Sequence, residues 1–259
     1  MYPIGKVEKD IYALRKRGPI VIPQLDPDNH DQNSAERWFK RVEELGLKVI
    51  SMGGSTVDAL ITQKLLDIAV KDHDFDVIIY MSSNPSSING IKGKTAVYWG
   101  QIPNAQNTFY TWDGLIANSL SLERNNIDPL PTLYAFDERG TTGSAEWISR
   151  GFSIPREKPK ISLAVARAAQ YLGMRFYIMA GGSGSPNPPP PTHVKLLATH
   201  SNLFVIPTSG IKTKECANEL FSAGADAIQI GSLLESEKGF DVLKLMVGAA
   251  KHYPGKDFI

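Results

Sequence analysis

FVIPTSGIKTKECANELFSAGADAIQIGS, at 204–232, decides the fold. A short apolar run breaks at Ser209-Gly210, passes through a segment with helical spacing, and returns as a second apolar run that ends at Gly231-Ser232. Strand, glycine turn, helix, strand, glycine turn is the order of the last two units of a (β/α)8 barrel. Two successive parallel strands that end in small residues leave backbone N–H groups free to converge on one anion. A phosphorylated ligand is the first expectation.

Working outward, strand-like runs fall at 20–25, 48–52, 77–81, 95–99, 132–136, 175–179, 203–207 and 227–230. Most are separated by segments of helical period. One is 34–45, with Ser34 placed as N-cap and Glu36 in the first turn; another is 161–172, introduced by Pro155 and Pro159 and ended by Gly173. Short β-branched strands alternating with helices imply parallel pairing, and eight units in 259 residues favour closure into a barrel. The fold expected is α/β, a (β/α)8 TIM barrel forming a single domain over 1–259. Its third helix is reduced to a loop or short turn, because NPSSINGIKGK at 84–94 holds too many Asn, Ser and Gly for a full helix. The proline run SPNPPPPT at 185–192 should lead into a helix beginning near His193.

Composition bounds the partners. A hydrophobic content of 42% beside 21% charged residues marks a chain able to bury a large core. The formal net charge of +1 argues against broad capture of nucleic acid or of an anionic membrane surface, so any anion site must be local. Cys216 is the only cysteine, which excludes a disulfide framework and points to a reducing cytoplasm. The N-terminal residues lack an apolar run of signal-peptide length, and no stretch approaches transmembrane length. A soluble cytoplasmic protein is expected.

In such barrels the chemistry sits just after the strand ends. The first strand exits through QLDPDNHD, where Asp26 and Asp28 offer oxygen ligands suited to Mg²⁺ on a diphosphate; helix capping or an Asx turn is the alternative use. The second exits through MGGST. Gly53 and Gly54 admit a ligand close to the backbone there, and Ser55 and Thr56 supply hydroxyls for a phosphate or cation, or else an N-cap. The sixth runs YIMAGGSGSP, with Gly181 and Gly182 opening the backbone to substrate and Tyr177 either donating into the mouth or filling the core. His30 lies near the mouth. Glu146, Arg150 and Arg156 flank a long loop after the fifth strand, in either a diphosphate-pairing or a surface role. The five histidines show no zinc spacing, and the glycine-rich exit lacks a dinucleotide-binding fingerprint.

LDPD at 25–28, MGGST at 52–56, IPREKPKISLAVARAAQYLGM at 154–174, AGGSGSPNP from Ala180, SGIKT at 209–213 and AGADAIQIGSLLES from Ala223 appear in one order along the chain. Together they resemble the geranylgeranylglyceryl phosphate synthase family. These are phosphoglycerol prenyltransferases that include a bacterial heptaprenyl branch and are related to a moenomycin-pathway enzyme acting on 3-phosphoglycerate. The resemblance implies Mg²⁺-dependent transfer of a polyprenyl chain, of the farnesyl or geranylgeranyl class, from its diphosphate to a hydroxyl of a three-carbon phospho-acceptor. An ether and diphosphate result. By similarity, Asp28 and Ser55, with Thr56 beside them, hold Mg²⁺ and diphosphate, while Tyr177, Ser209, Gly210, Gly231 and Ser232 cradle the acceptor phosphate; Asp28 and Tyr177 are the catalytic expectations. The tail needs an apolar groove, for which VYWG at 97–100 and FYTW at 109–112 are candidate walls.

Three departures from the family pattern stand out. Met179 replaces a glutamate, Thr208-Ser209-Gly210 replaces three glycines, and Asp137 replaces an asparagine. Loss of a carboxylate beside the acceptor makes a carboxylated acceptor such as 3-phosphoglycerate easier to hold than it is in the family, where sn-glycerol 1-phosphate is used. A homodimer or larger homo-oligomer, with peripheral membrane contact for product release, is expected by the same resemblance. Other readings remain: a phosphosugar isomerase or cyclase using Asp26 and Asp137 as acid and base, or a non-catalytic phosphate-binding barrel.

Overall fold

The structure, a computed structural model, describes residues 3–258. Its eight strands are β1 (Ile20–Leu25), β2 (Val49–Met52), β3 (Asp76–Tyr80), β4 (Thr95–Gln101), β5 (Asp128–Phe136), β6 (Phe176–Ala180), β7 (Phe204–Pro207) and β8 (Ala227–Ile230). Each pairs in parallel with its sequence neighbour from β1 to β7, and β8 pairs with β1. The last seam closes through a parallel bridge between Thr208 and Gln229 and through the Asp226 N–H, which donates to the Val205 carbonyl at 3.0 Å. The result is the eightfold barrel expected from the alternation of short apolar runs with helical segments.

The helices are α1 (Lys6–Arg15), α2 (Gln32–Glu44), α3 (Ala59–Lys71), α4 (Trp112–Arg124), α5 (Ser144–Ser149), α6 (Pro159–Tyr171), α7 (Pro191–His200), α8 (Lys214–Ser222) and α9 (Glu237–Ala250). Between β3 and β4 there are only two 3-10 turns, Met81–Ser83 and Pro85–Ser87, joined by Asn84 in a left-handed conformation with φ of 51°. Asn-Pro cannot continue a helix, so the third unit is truncated as expected. At α2 the expectation is corrected. The helix begins at Gln32, and its cap is Asp31, whose carboxylate accepts from the Ser34 N–H at 2.7 Å. A carboxylate one turn upstream outcompetes the Ser34 hydroxyl, which donates to the Asp31 carbonyl instead.

Side chains alternate across each strand, and the barrel therefore has two cores. Val21, Leu25, Ile50, Met52, Tyr177 and Met179 pack outward against the helices. Ile22, Val49, Ile78, Leu130, Phe176, Ile178 and Phe204 fill the interior. α1 closes the N-terminal end of the barrel, where Tyr12 stacks on Phe176 with centroids 5.9 Å apart and on Phe258 at 5.3 Å. With that end plugged, the opposite end, where the strands finish, is left open for a site.

Candidate active site

Asp26 leaves β1 and caps the 3-10 turn Pro27–Asn29, accepting from the Asp28 N–H at 3.2 Å. Its carboxylate lies over Gly54, where an added Cβ would come within 2.8 and 2.9 Å of the two oxygens and push the carboxylate aside. Next to it the Thr56 hydroxyl donates to Asp28 Oδ2 at 3.1 Å. Asp26, Ser55 and Thr56 line a central cavity, whereas Asp28 is exposed outside that lining and joins it only through Thr56. Burial raises the Asp26 carboxyl above its ordinary range; the Asp28 N–H opposes the shift, and the charges of Asp28 and Glu235 add to it. A carboxylate in that state is short of positive charge. Among the described residues no group of three His, Cys, Asp or Glu side chains encloses a metal. Two carboxylates with hydroxyls beside them are donors of the kind Mg²⁺ takes, since it commonly uses one or two carboxylates and completes its shell with substrate phosphate and water. His30 lines the same cavity. Burial lowers its pKa, which keeps the ring neutral, and its Nδ1 is buried without a hydrogen-bond partner.

Across the mouth, β7 ends in two successive left-handed residues, Ser209 with φ of 67° and Gly210 with φ of 69°. They face Gly231 and Ser232 at the end of β8 across a recess of about 280 Å³, which Lys212 and Ser236 also line. The central cavity, about 220 Å³, is bounded by Asp26, Gly54, Ser55 and Thr56 on one side and by Gly182, Ser209, Gly231 and Ser232 on the other. Ser209, Gly231 and Ser232 border both spaces. The two spaces therefore adjoin at these three residues, and Gly210 lines the recess alone.

The floor is a polar network that reasoning from strand ends alone passes over. Tyr98 donates to Gln229 Oε1 at 3.1 Å, Gln229 donates to Gln24 Oε1 at 3.0 Å, and Gln24 donates to the Gly53 carbonyl at 3.1 Å. Gln24 thereby ties the β2 exit to β8. A glutamine in the middle of an apolar strand, as in IVIPQL and AIQI, is the sequence signal for such inward polar positions. Burial pushes the neighbouring Tyr134 phenol up to about 12, so it stays a neutral donor.

The apolar wall combines Met81, Ile102, Phe109, Tyr110 and Leu234. Of the expected VYWG wall, Tyr98 and Gly100 reach the cavity, whereas Val97 and Trp99 pack into the outer core. In FYTW, Phe109 and Tyr110 line the cavity and Trp112 is 64% exposed. The truncated third unit leaves Met81 and Ser82 at this edge of the opening.

Tyr177 does not enter the mouth. Its side chain is buried on the helix-facing side of β6, next to Ser162 of α6, and burial raises its pKa. Met179, two residues on, shares that face. The inward residues of β6 are Phe176, Ile178 and Ala180, so neither Tyr177 nor Met179 can touch an acceptor in the barrel. Gly181 is also not a lining residue: its missing Cβ makes room for Arg139, whose Cδ would lie 2.2 Å from it. Glu146 is buried and accepts from the Ser153 hydroxyl, and Arg156 donates to the Pro188 carbonyl at 3.2 Å. Both brace loops rather than lining the cavity. The Cys216 thiol, pushed up to about 11 mainly by burial, is a poor nucleophile.

Residues 12–249 match the PcrB family. Geranylgeranylglyceryl phosphate synthase from Thermococcus gammatolerans is 32% identical over 237 residues, covering 91% of this chain and 92% of that protein. The enzyme of the same name from Pyrococcus abyssi is 32% identical over 247 residues, covering 94% and 96%. Among solved structures, the (S)-3-O-geranylgeranylglyceryl phosphate synthase from Thermoplasma acidophilum, in complex with its substrate sn-glycerol-1-phosphate, superposes with a TM-score of 0.85. It is 26% identical, with 95% of this chain and 98% of that one covered. With a family match over most of its length and relatives of this identity, the chain belongs to the PcrB family, alongside the geranylgeranylglyceryl phosphate synthases.

Proposed function

We propose that this protein is a prenyltransferase that moves a geranylgeranyl-class chain from its allylic diphosphate to a hydroxyl of sn-glycerol 1-phosphate. The observation that supports the reading is one cavity bordered by Asp26, Ser55 and Thr56 after β1 and β2, by Ser209, Gly231 and Ser232 after β7 and β8, and by an apolar wall. The allylic C–O bond to diphosphate breaks, a C–O ether bond forms, and the hydroxyl proton is released. Asp28 and Ser55, with Asp26 and Thr56 beside them, would hold Mg²⁺, which when bound stabilises the negative charge that grows on the leaving diphosphate. The Ser209, Gly210, Gly231 and Ser232 backbone holds the acceptor phosphate, and the polar floor around Gln24 and Gln229 keeps the reacting ends in register. Phe109, Tyr110 and Leu234 exclude water from the allylic cation as it develops.

A carboxylated acceptor such as 3-phosphoglycerate is a second reading, and its basis shifts from Met179 to Ala180. The inward position at the end of β6 carries no acid, and Asp137 is neutralised by Arg139, with 2.7 Å between Nη2 and Oδ1. The same pairing leaves Asp137 unavailable as an acid or base, which removes support from the isomerase reading. We also propose a cytoplasmic setting and a homodimer or larger homo-oligomer, with peripheral membrane contact at product release. Among the described residues no helix is long and apolar enough to cross a membrane.

Incubation with labelled geranylgeranyl or farnesyl diphosphate, Mg²⁺ and each acceptor tests the reading. An organic-extractable ether that still carries phosphate is expected. Release of free prenyl alcohol alone, or no turnover with either acceptor, would sink it.

A further inference from the structure

Arg139, on the loop after β5, has a fully buried side chain and uses all five of its N–H donors. Nε and Nη2 grip the two carboxylate oxygens of Asp137 at 2.8 and 2.7 Å. Nη2 also donates to the Met179 carbonyl at 3.1 Å, and Nη1 donates to the carbonyls of Thr208 and of Ser209, the latter at 2.7 Å. One guanidinium thus joins the ends of β5, β6 and β7, in space that the missing side chain of Gly181 provides.

The two carbonyls on β7 matter most. In a trans peptide the C=O and the following N–H point in opposite directions, so a carbonyl pulled toward Arg139 turns the next N–H away from it. Those N–H groups belong to Ser209 and Gly210, which line the recess; the Ser209 N–H is turned to the Gln229 carbonyl through the Thr208–Gln229 bridge, and among the described residues the Gly210 N–H has no protein acceptor. The required turn places Ser209 at φ of 67°, a conformation that a residue with a Cβ adopts only when its surroundings impose it.

We propose that Arg139 is a positioning residue for the acceptor phosphate: it holds Ser209 in the left-handed conformation and so aims the Gly210 backbone N–H into the recess. Asp137 neutralises the buried cation and fixes its fork, so the pair acts through geometry rather than through net charge. The inference rests on the proposed acceptor site and adds the device that shapes it. Where glycine stands in place of Ser209, the same backbone forms without a clamp, because glycine reaches positive φ without a steric penalty.

Calorimetric titration with sn-glycerol 1-phosphate and, separately, with inorganic diphosphate and Mg²⁺ tests this. Removing both charges together, D137N with R139M, avoids stranding a buried carboxylate. It is expected to weaken glycerol phosphate binding at least about tenfold while diphosphate binding stays within about twofold. Adding S209G to that protein should recover most of the lost affinity, which general destabilisation would not allow. Unchanged glycerol phosphate affinity, parallel loss of both ligands, or no recovery with S209G would each overturn the proposal. If the double variant does not fold, R139K keeps the charge but loses the two-carbonyl fork, and it must show the same selective, S209G-reversible loss. A wild-type protein that binds neither glycerol phosphate nor inorganic phosphate would refute the acceptor site itself, and this inference with it.

Discussion

Asp28 and Thr56 meet across the exits of β1 and β2, and the chemistry proposed for diphosphate depends on that contact. Asp28→Ala should lower kcat/KM by roughly 10²–10³, the range expected when a group that stabilises charge developing in the transition state is removed; steady-state turnover with saturating acceptor measures it. The raised Asp26 carboxyl adds a pH signature. A carboxylate with a raised pKa still carries its proton at a mildly acidic pH where an ordinary one has lost it, and only the ionised form serves a cation. Activity should therefore fall on acidification at a higher pH than an unperturbed aspartate would dictate and return as pH rises through that pKa; Asp26→Asn should abolish this limb of the pH–rate profile. Tyr177 offers the opposite test. Because it faces α6, Tyr177→Phe should leave the acceptor KM unchanged and cost only about 1 kcal/mol of stability for a lost buried hydrogen bond. A large rise in acceptor KM with unaltered stability would return Tyr177 to the site.

At the scale of elements, α2 gives a clean stability prediction. Asp31→Ala removes its cap and should cost about 1 kcal/mol, or about 2–4 °C in Tm for a chain of this length, whereas Ser34→Ala should cost much less. Thermal denaturation of the two variants decides between the caps. All eight strands were legible as short β-branched or aromatic runs, except that β5 begins at Asp128, before the run at 132–136, because Pro129 and Pro131 read as loop; the truncated third unit was legible in its Asn-Pro, Ser-Ser and Gly content. The facing of β6 was not. FYIMA is apolar at every position and buried on both sides, so nothing in it distinguishes the inward from the outward set, and a motif matched one residue out of phase puts Tyr177 on the wrong face. The cap of α2 escaped for a related reason: DQNS offers several residues able to cap, and only geometry selects among them. Arg139 is invisible from strand-end reasoning, because its effect is exerted on the carbonyls of a strand 69 and 70 residues away in sequence.

For the whole molecule, the arrangement of two anion sites on one rim follows from closure. β1 lies between β8 and β2, so the acidic exits and the glycine exits are brought together only when the barrel joins its last strand to its first. Trp112, Ile116 and Leu120, four residues apart along α4, are 64%, 65% and 83% exposed, an apolar stripe consistent with the proposed self-association. Sedimentation should show a dimer or larger species, and replacing Ile116 and Leu120 together by glutamate should shift it toward monomer if this stripe is the contact. The most direct measurement of the central claim is a crystal structure with sn-glycerol 1-phosphate, Mg²⁺ and a non-reactive prenyl diphosphate analogue bound together. The account predicts the acceptor phosphate against Ser209, Gly210, Gly231 and Ser232, the diphosphate and metal against Asp28 and Ser55, and the tail along Phe109, Tyr110 and Leu234. Both anions at one exit, or a tail running elsewhere, would contradict it.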